Sequence, residues 1–124
     1  MSQFSKDKIY DLEERTAKFA ENVLILLKSL KQDAVNRRII DQLAGSSGSI
    51  GANYCEAVEA ESKKDFIHKI SICKKENKET KHWLRLLAVS NPEKKDCIRE
   101  LWKEAQGLLL IFSKIVKTSR NKSN

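Results

Sequence analysis

Only one proline, Pro92, interrupts the 124 residues, and three of the four glycines fall within a single heptapeptide. Few turns can be built from such a chain, and collagen-like, mucin-like and proline-rich disordered classes are excluded. The three cysteines, Cys55, Cys73 and Cys97, form no C-x-x-C pair. An odd count without that spacing argues against a disulfide framework and fits a reducing compartment. No apolar run approaches the ~20 residues of a membrane span. The first residues, Met1 to Lys6, carry no apolar signal core. These absences lead us to expect one soluble cytoplasmic domain, residues 1–124, with no membrane association.

Chemistry-bearing motifs are equally sparse. Gly45-Ser46-Ser47-Gly48-Ser49-Ile50-Gly51 lacks the Gly-Lys-Ser/Thr ending of a phosphate loop and follows no strand. The two histidines, His68 and His82, are four helical turns apart and cannot share a metal on one helix. No Glu-x-x-His pair of the di-metal bundle kind occurs. Neither histidine follows an arginine with four to six residues between them, the mark of one class of helical-bundle ribonucleases. The sequence therefore gives no catalytic residues, no metal site and no cofactor, and we expect no enzyme.

What the chain does have is helical periodicity. We expect four helices at about 6–30, 34–60, 64–89 and 92–116, with a flexible tail at 117–124. In the first, Ile9, Leu12, Phe19, Val23, Leu26, Leu27 and Leu30 recur at three- and four-residue steps, with Ser5 as N-cap and Asp7 in the first turn. In the second, Ile39, Ile40, Leu43, Ser47, Ile50, Tyr54, Ala57 and Val58 hold that period straight through the glycines. Each interior glycine costs ~1 kcal/mol relative to alanine. The triplet must therefore have a use, and we expect Gly45, Gly48 and Gly51 to form a surface of close helix approach, within the bundle or between subunits. In the third, Phe66, Ile70, Cys73, Asn77, Thr80, Leu84 and Leu87 step by alternating fours and threes, an unbroken seam with two polar members. The fourth opens on Asn91 as N-cap and Pro92, and its stripe runs through Ile98, Leu101, Ala105, Leu108, Phe112, Ile115 and Val116. Short connections between such helices favour antiparallel neighbours, and the expected fold is an all-α up-down four-helix bundle.

Charge is uneven. The net charge is +7, with −3 over residues 32–62, +5 over 63–90 and +4 over 91–124. Beside the seam of helix three, Lys74, Lys78, Lys81 and Arg85 form a basic stripe suited to phosphate contacts. No aromatic is interleaved among those lysines in sequence, which argues against a stacking platform for single strands. The opposite flank carries Ile72, Glu76, Glu79, Trp83 and Leu86. Apolar residues on a second face favour a subunit interface anchored by Trp83, although Trp83 can also cap the edge of the core.

Ser49-Ile50-Gly51-Ala52-Asn53-Tyr54-Cys55-Glu56-Ala57 resembles the S-I-x-x-N-I-x-E-G motif of the four helix bundle proteins, also called 23S rRNA intervening sequence proteins. Lys75-Glu76-Asn77-Lys78-Glu79-Thr80 with Trp83-Leu84-Arg85-Leu86-Leu87 resembles that family's K-E-x-x-E-T-x-Y-W-L-x-L-L pattern. Tyr54, Ala57 and His82 depart from it, standing where an aliphatic, a glycine and a tyrosine are usual. The resemblance spans about residues 9–116. It implies an antiparallel bundle that assembles as a ring-like homopentamer. It also implies kinship with the accessory variability determinants of diversity-generating retroelements, which bind nucleic acid and a reverse transcriptase. Gly48, Asn53, Glu56, Glu79 and Trp83 become motif or interface positions, with Asn53 and Glu56 expected to satisfy a partner on helix three or in a neighbouring subunit. The expected function is a non-enzymatic homo-oligomer that binds RNA, DNA or a nucleic-acid enzyme through its basic surface. A pure protein scaffold is the alternative, and an RNA-processing enzyme stands behind both.

Overall fold

The computed structural model describes residues 11–122. The expected Ser5 cap, Asp7 and Ile9 lie outside them. Four helices follow one another: α1 Leu12–Lys28, α2 Ala34–Val58, α3 Lys63–Ser90 and α4 Lys95–Asn121. A single 3₁₀ turn, Pro92–Lys94, joins α3 to α4. Connections of a few residues make sequence neighbours antiparallel, and the result is an all-α up-down bundle. Packing is most extensive between α2 and α3, then between α3 and α4, and weakest where α4 closes against α1.

Local chemistry sets the boundaries. Asp33 caps α2 by accepting the Asn36 backbone N–H at 2.8 Å. Ser62 caps α3 by accepting from Asp65 N at 3.0 Å, with the Asp65 carboxylate in the positive first turn. α4 continues through Lys117–Asn121, where a flexible tail is expected from sequence. Nothing there stops it: Val116 is buried, Ser119 half-buried, and no glycine or proline follows.

The core contains one stripe from each helix. Phe19 and Val23 of α1, Leu43 and Ile50 of α2, Ile70, Leu84 and Leu87 of α3, and Leu108 and Phe112 of α4 are all essentially inaccessible. The α3 seam is buried from Ile70 to Leu87, including its polar members Asn77 and Thr80. Thr80 Oγ1 lies 2.9 Å from both Ser46 Oγ of α2 and the Glu76 carbonyl. Asn77 is fully buried, and neither atom of its amide has a partner among the described residues.

The glycine heptapeptide is continuous α-helix with no positive φ. Its close approach is narrower than the sequence suggests. A Cβ on Gly45 or Gly48 meets nothing within 4 Å, whereas one on Gly51 falls 2.9 Å from Thr16 Oγ1 and 3.3 Å from Thr16 Cβ. Three-residue spacing rotates about 60° backwards per step on a helix of 100° per residue, so the three cannot share one partner. Inside the bundle only Gly51 admits a neighbour, α1.

At one end of the bundle a reciprocal amide pair replaces an expected cap. Asn91 makes no side-chain cap. Its Nδ2 donates to Asn36 Oδ1 at 2.9 Å, and Asn36 Nδ2 donates back to Asn91 Oδ1 at 3.0 Å. Asn36 also donates to the Lys31 carbonyl at 2.8 Å and accepts from Ser90 Oγ at 2.7 Å. Asn91 donates further to the Leu87 carbonyl at 3.1 Å. The α1–α2 connection, α2 and the end of α3 are thereby tied together.

Candidate nucleic-acid interface

The basic stripe of α3 does not stand alone. Lys78 and Arg85 are exposed, and Lys74 and Lys81 are half-buried. Arg85 lines a groove of about 510 Å³ between α3 and α4, with Lys95, Arg99 and Trp102 contributed by α4. Leu84, Ala88, Val89 and Ile98 form its apolar lining. Lys81 Nζ donates to Gln106 Oε1 and sits 4.5 Å from the centroid of the Trp102 ring. Lys81 is thus held by α4, and its charge is partly committed to a cation–π contact. Arg99 pairs with exposed Asp96 at 3.4 Å. Arg85 and Lys95 have no ion-pair partner among the described residues. Segments of net charge +5 and +4 therefore meet along one seam, and their fields add.

Sequence reading missed Trp102. Its position, one residue past the core residue Leu101, places it on the flank that α3 covers. The missing signal was the pairing of α3 with α4, which a one-dimensional search for aromatics among lysines does not contain.

The motif residues on the other flank divide. Within the chain Asn53 Nδ2 donates to the Ser49 carbonyl of its own helix at 2.9 Å and not to α3, one of the two partners expected for it. Glu56 does reach α3: its Oε1 takes Lys69 Nζ at 2.6 Å, on the surface rather than in the interior. Lys69 is held above its ordinary pKa, first by that hydrogen bond and then by the same charge. Glu79 is exposed. Its charge is a secondary reason, after burial, that the half-buried Glu76 carboxyl is raised. Trp83 is half-buried and packs against the core of its own chain, with His82 edge-on at 4.9 Å. Gly48 is exposed.

Elsewhere the surface offers little reactive chemistry. A cleft of about 610 Å³ between α1 and α4 is crossed by a two-pronged ion pair. Arg15 Nε donates to Glu104 Oε2 at 2.7 Å and Nη2 to Oε1 at 3.0 Å. That hydrogen bond is the main reason the guanidinium is held above its usual pKa. Cys73 is buried, donates to the Ile50 carbonyl at 3.4 Å, and has its thiol pushed up to about 12, chiefly by burial. Both histidines are exposed. Among the described residues no three His, Cys, Asp or Glu side chains gather as a metal site, and no helix is long and apolar enough to cross a membrane.

Comparison with known proteins matches this bundle. A crystal structure of a protein of unknown function from the S23 ribosomal protein family of Bacteroides thetaiotaomicron VPI-5482 superposes with a TM-score of 0.77. It shares 29% identity, and the match covers 85% of this chain and 97% of that one. No curated protein matches. The sequence profile described as 23S rRNA-intervening sequence protein matches residues 8–114. The chain belongs to the 23S rRNA-intervening sequence protein family.

Proposed function

We propose that the protein is a non-enzymatic, homo-oligomeric helical bundle that binds nucleic acid through its α3–α4 face. The observation that carries the reading is the meeting of Arg85 with Lys95 and Arg99 across one groove, with Lys81 against Trp102 at its edge and Lys74 and Lys78 further back along α3. Cations set on two rigid helices suit phosphate contacts, whose free energy comes largely from released counterions. The test is a mobility-shift titration of RNA and DNA against salt. Affinity falls steeply with salt, and Lys78→Ala with Arg85→Ala lowers the slope of log K against log salt by up to ~2. An absence of binding at low salt removes the proposal.

Assembly is the second part of the reading, a ring-like homopentamer by family resemblance. Exposed apolar surface supports association. Leu24, Ile40 and Ala44 line a shallow groove between α1 and α2. Ile25 and Val35 nearby in sequence are 69% and 61% exposed. On α2 the open space over Gly48 leaves room for a neighbouring backbone. Light scattering then gives the mass of five 14.2 kDa chains. Gly48→Leu lowers that mass while the helical content stays. A monomeric wild type ends the oligomer reading, and an unchanged mass in the variant ends the role of Gly48.

The same apolar groove favours a protein partner as the alternative function, a scaffold whose lysines serve solubility. A reverse transcriptase or other protein recovered by pull-down after nuclease treatment, with no RNA affinity, selects it.

A further inference from the structure

The groove between α3 and α4 holds more than charge. Its lining is apolar, from Leu84, Ala88, Val89 and Ile98, and Trp102 stands in it still 38% exposed. The indole N–H of Trp102 has no hydrogen-bond partner among the described residues. The ammonium of Lys81 lies over one face of the ring, where Gln106 holds it, so a ligand stacks on the other face. Arg85 and Lys95 are free cations of the same groove. A ligand that satisfies all of this has a flat apolar face, a hydrogen-bond acceptor at its edge and anions on either side. An unpaired nucleotide in a strand is such a group: the base stacks, a base carbonyl takes the indole N–H, and the flanking phosphates meet Arg85 and Lys95. A fully paired duplex presents the phosphates but keeps its bases stacked inside, and leaves the apolar lining without a partner.

We propose that the α3–α4 groove is a base-stacking slot, with Trp102 as platform, that selects RNA carrying an unpaired base over uninterrupted duplex. The proposal rests on the nucleic-acid reading above and specifies its ligand class. Its volume of about 510 Å³ lies within the range of small-ligand pockets, ample for one base.

The test compares two RNA hairpins, one with a fully paired stem and one carrying a single bulged adenosine. Binding is followed by titration at low salt. Tryptophan fluorescence is read in a Trp83→Phe background so that Trp102 alone reports. The bulged hairpin binds roughly tenfold more tightly and quenches Trp102. Trp102→Ala removes the preference, so that the two hairpins bind with equal affinity. Trp102→Phe keeps a ring and so part of the preference, and its melting curve guards against a folding defect. Equal affinity of the wild type for both hairpins, or a preference that survives Trp102→Ala, overturns the slot and leaves the phosphate-binding reading standing. Failure of both hairpins to bind overturns both. Quenching by a glutamate-rich amphipathic peptide, with none by either RNA, assigns the groove to an acidic protein segment and also overturns the proposal.

Discussion

Gly51→Ala and Gly45→Ala make the same chemical change six residues apart on α2, yet their effects on stability are opposite in sign. Both substitutions gain about 1 kcal/mol of helix propensity, because alanine loses less backbone freedom on folding. At Gly45 nothing lies within 4 Å of the new methyl, so the gain stands. At Gly51 the methyl falls 2.9 Å from Thr16 Oγ1 and 3.3 Å from Thr16 Cβ. Thr16 cannot move out of the way freely. It is 1% exposed, and its hydroxyl donates to the Leu12 carbonyl at 2.7 Å. Overpacking of this kind costs about 1–3 kcal/mol, by pushing α1 away or forcing Thr16 off its rotamer. The net loss is then up to ~2 kcal/mol, and the two alanine variants differ by ~1–3 kcal/mol. Urea unfolding at one protein concentration measures this as a shift in midpoint at constant m. Thr16→Ala removes the obstructing atoms, so Thr16→Ala with Gly51→Ala recovers most of the loss, a favourable coupling in a double-mutant cycle. A Gly51→Ala protein as stable as Gly45→Ala refutes the close approach of α1 to α2.

Three further outcomes follow from buried polar groups. Asn77→Leu stabilises by about 1–3 kcal/mol, since it removes an amide with no partner and adds apolar burial at similar volume; a loss of stability in thermal or urea unfolding shows that the amide is satisfied in solution. Asn36→Ala and Asn91→Ala each cost about 1–3 kcal/mol, and together cost less than the sum because each leaves the other's amide unpaired; strict additivity in the same assay refutes the reciprocal pair. A thiol reagent labels exposed Cys55 and Cys97 in the folded protein and Cys73 only after unfolding. Below pH about 9 the Cys73 thiol is neutral in both states and stability does not depend on it. Between 9 and 12 only the unfolded chain ionises there, so stability falls by up to roughly 1.4 kcal/mol per pH unit, a slope that Cys73→Val removes. Equal pH slopes for wild type and variant refute it.

The α3 seam was legible to the residue from Ile70 to Leu87, because the apolar period of a helix buried on one stripe is written into its own sequence. So was the helical character of the glycine heptapeptide, which Ile50, Tyr54 and Ala57 carry across. Relations between helices were not legible. Asn91 before Pro92 has the form of an N-cap, but its amide turns to Asn36, 55 positions away in the chain. Within the chain Asn53 bonds to a carbonyl one turn back and not to α3, one of the two partners expected for it. Of the glycine triplet only Gly51 takes part in a close approach within the bundle, and which of the three does so depends on where α1 lies, a relation between helices. Of the four α3 cations, Arg85 lines the groove and Lys81 reaches the Trp102 ring; Lys95, Arg99 and Trp102 join them only through the packing of one long helix on another, which the sequence does not display.

That packing depends on register, and register here is held by polar groups. A slip of one residue along α3 turns its surface by about 100°. Lys81 would leave the Trp102 ring, and Arg85 would leave the groove. An apolar seam resists a one-residue slip, which would expose it, but resists a slip of a whole heptad only weakly, since apolar positions then meet apolar positions again. Directional bonds resist that slip far more. Asn36, Ser90 and Asn91 fix the C-terminal end of α3 against α2, and Ser46 with Thr80 fixes it ten residues further back. α4 takes its own axial position from the turn Pro92–Lys94, only one residue beyond Asn91. The amide pair therefore sets where both walls of the groove begin. Its loss should blunt the Lys81–Trp102 contact as well as lower stability, which makes the Asn36–Asn91 end of the bundle part of what shapes the basic face.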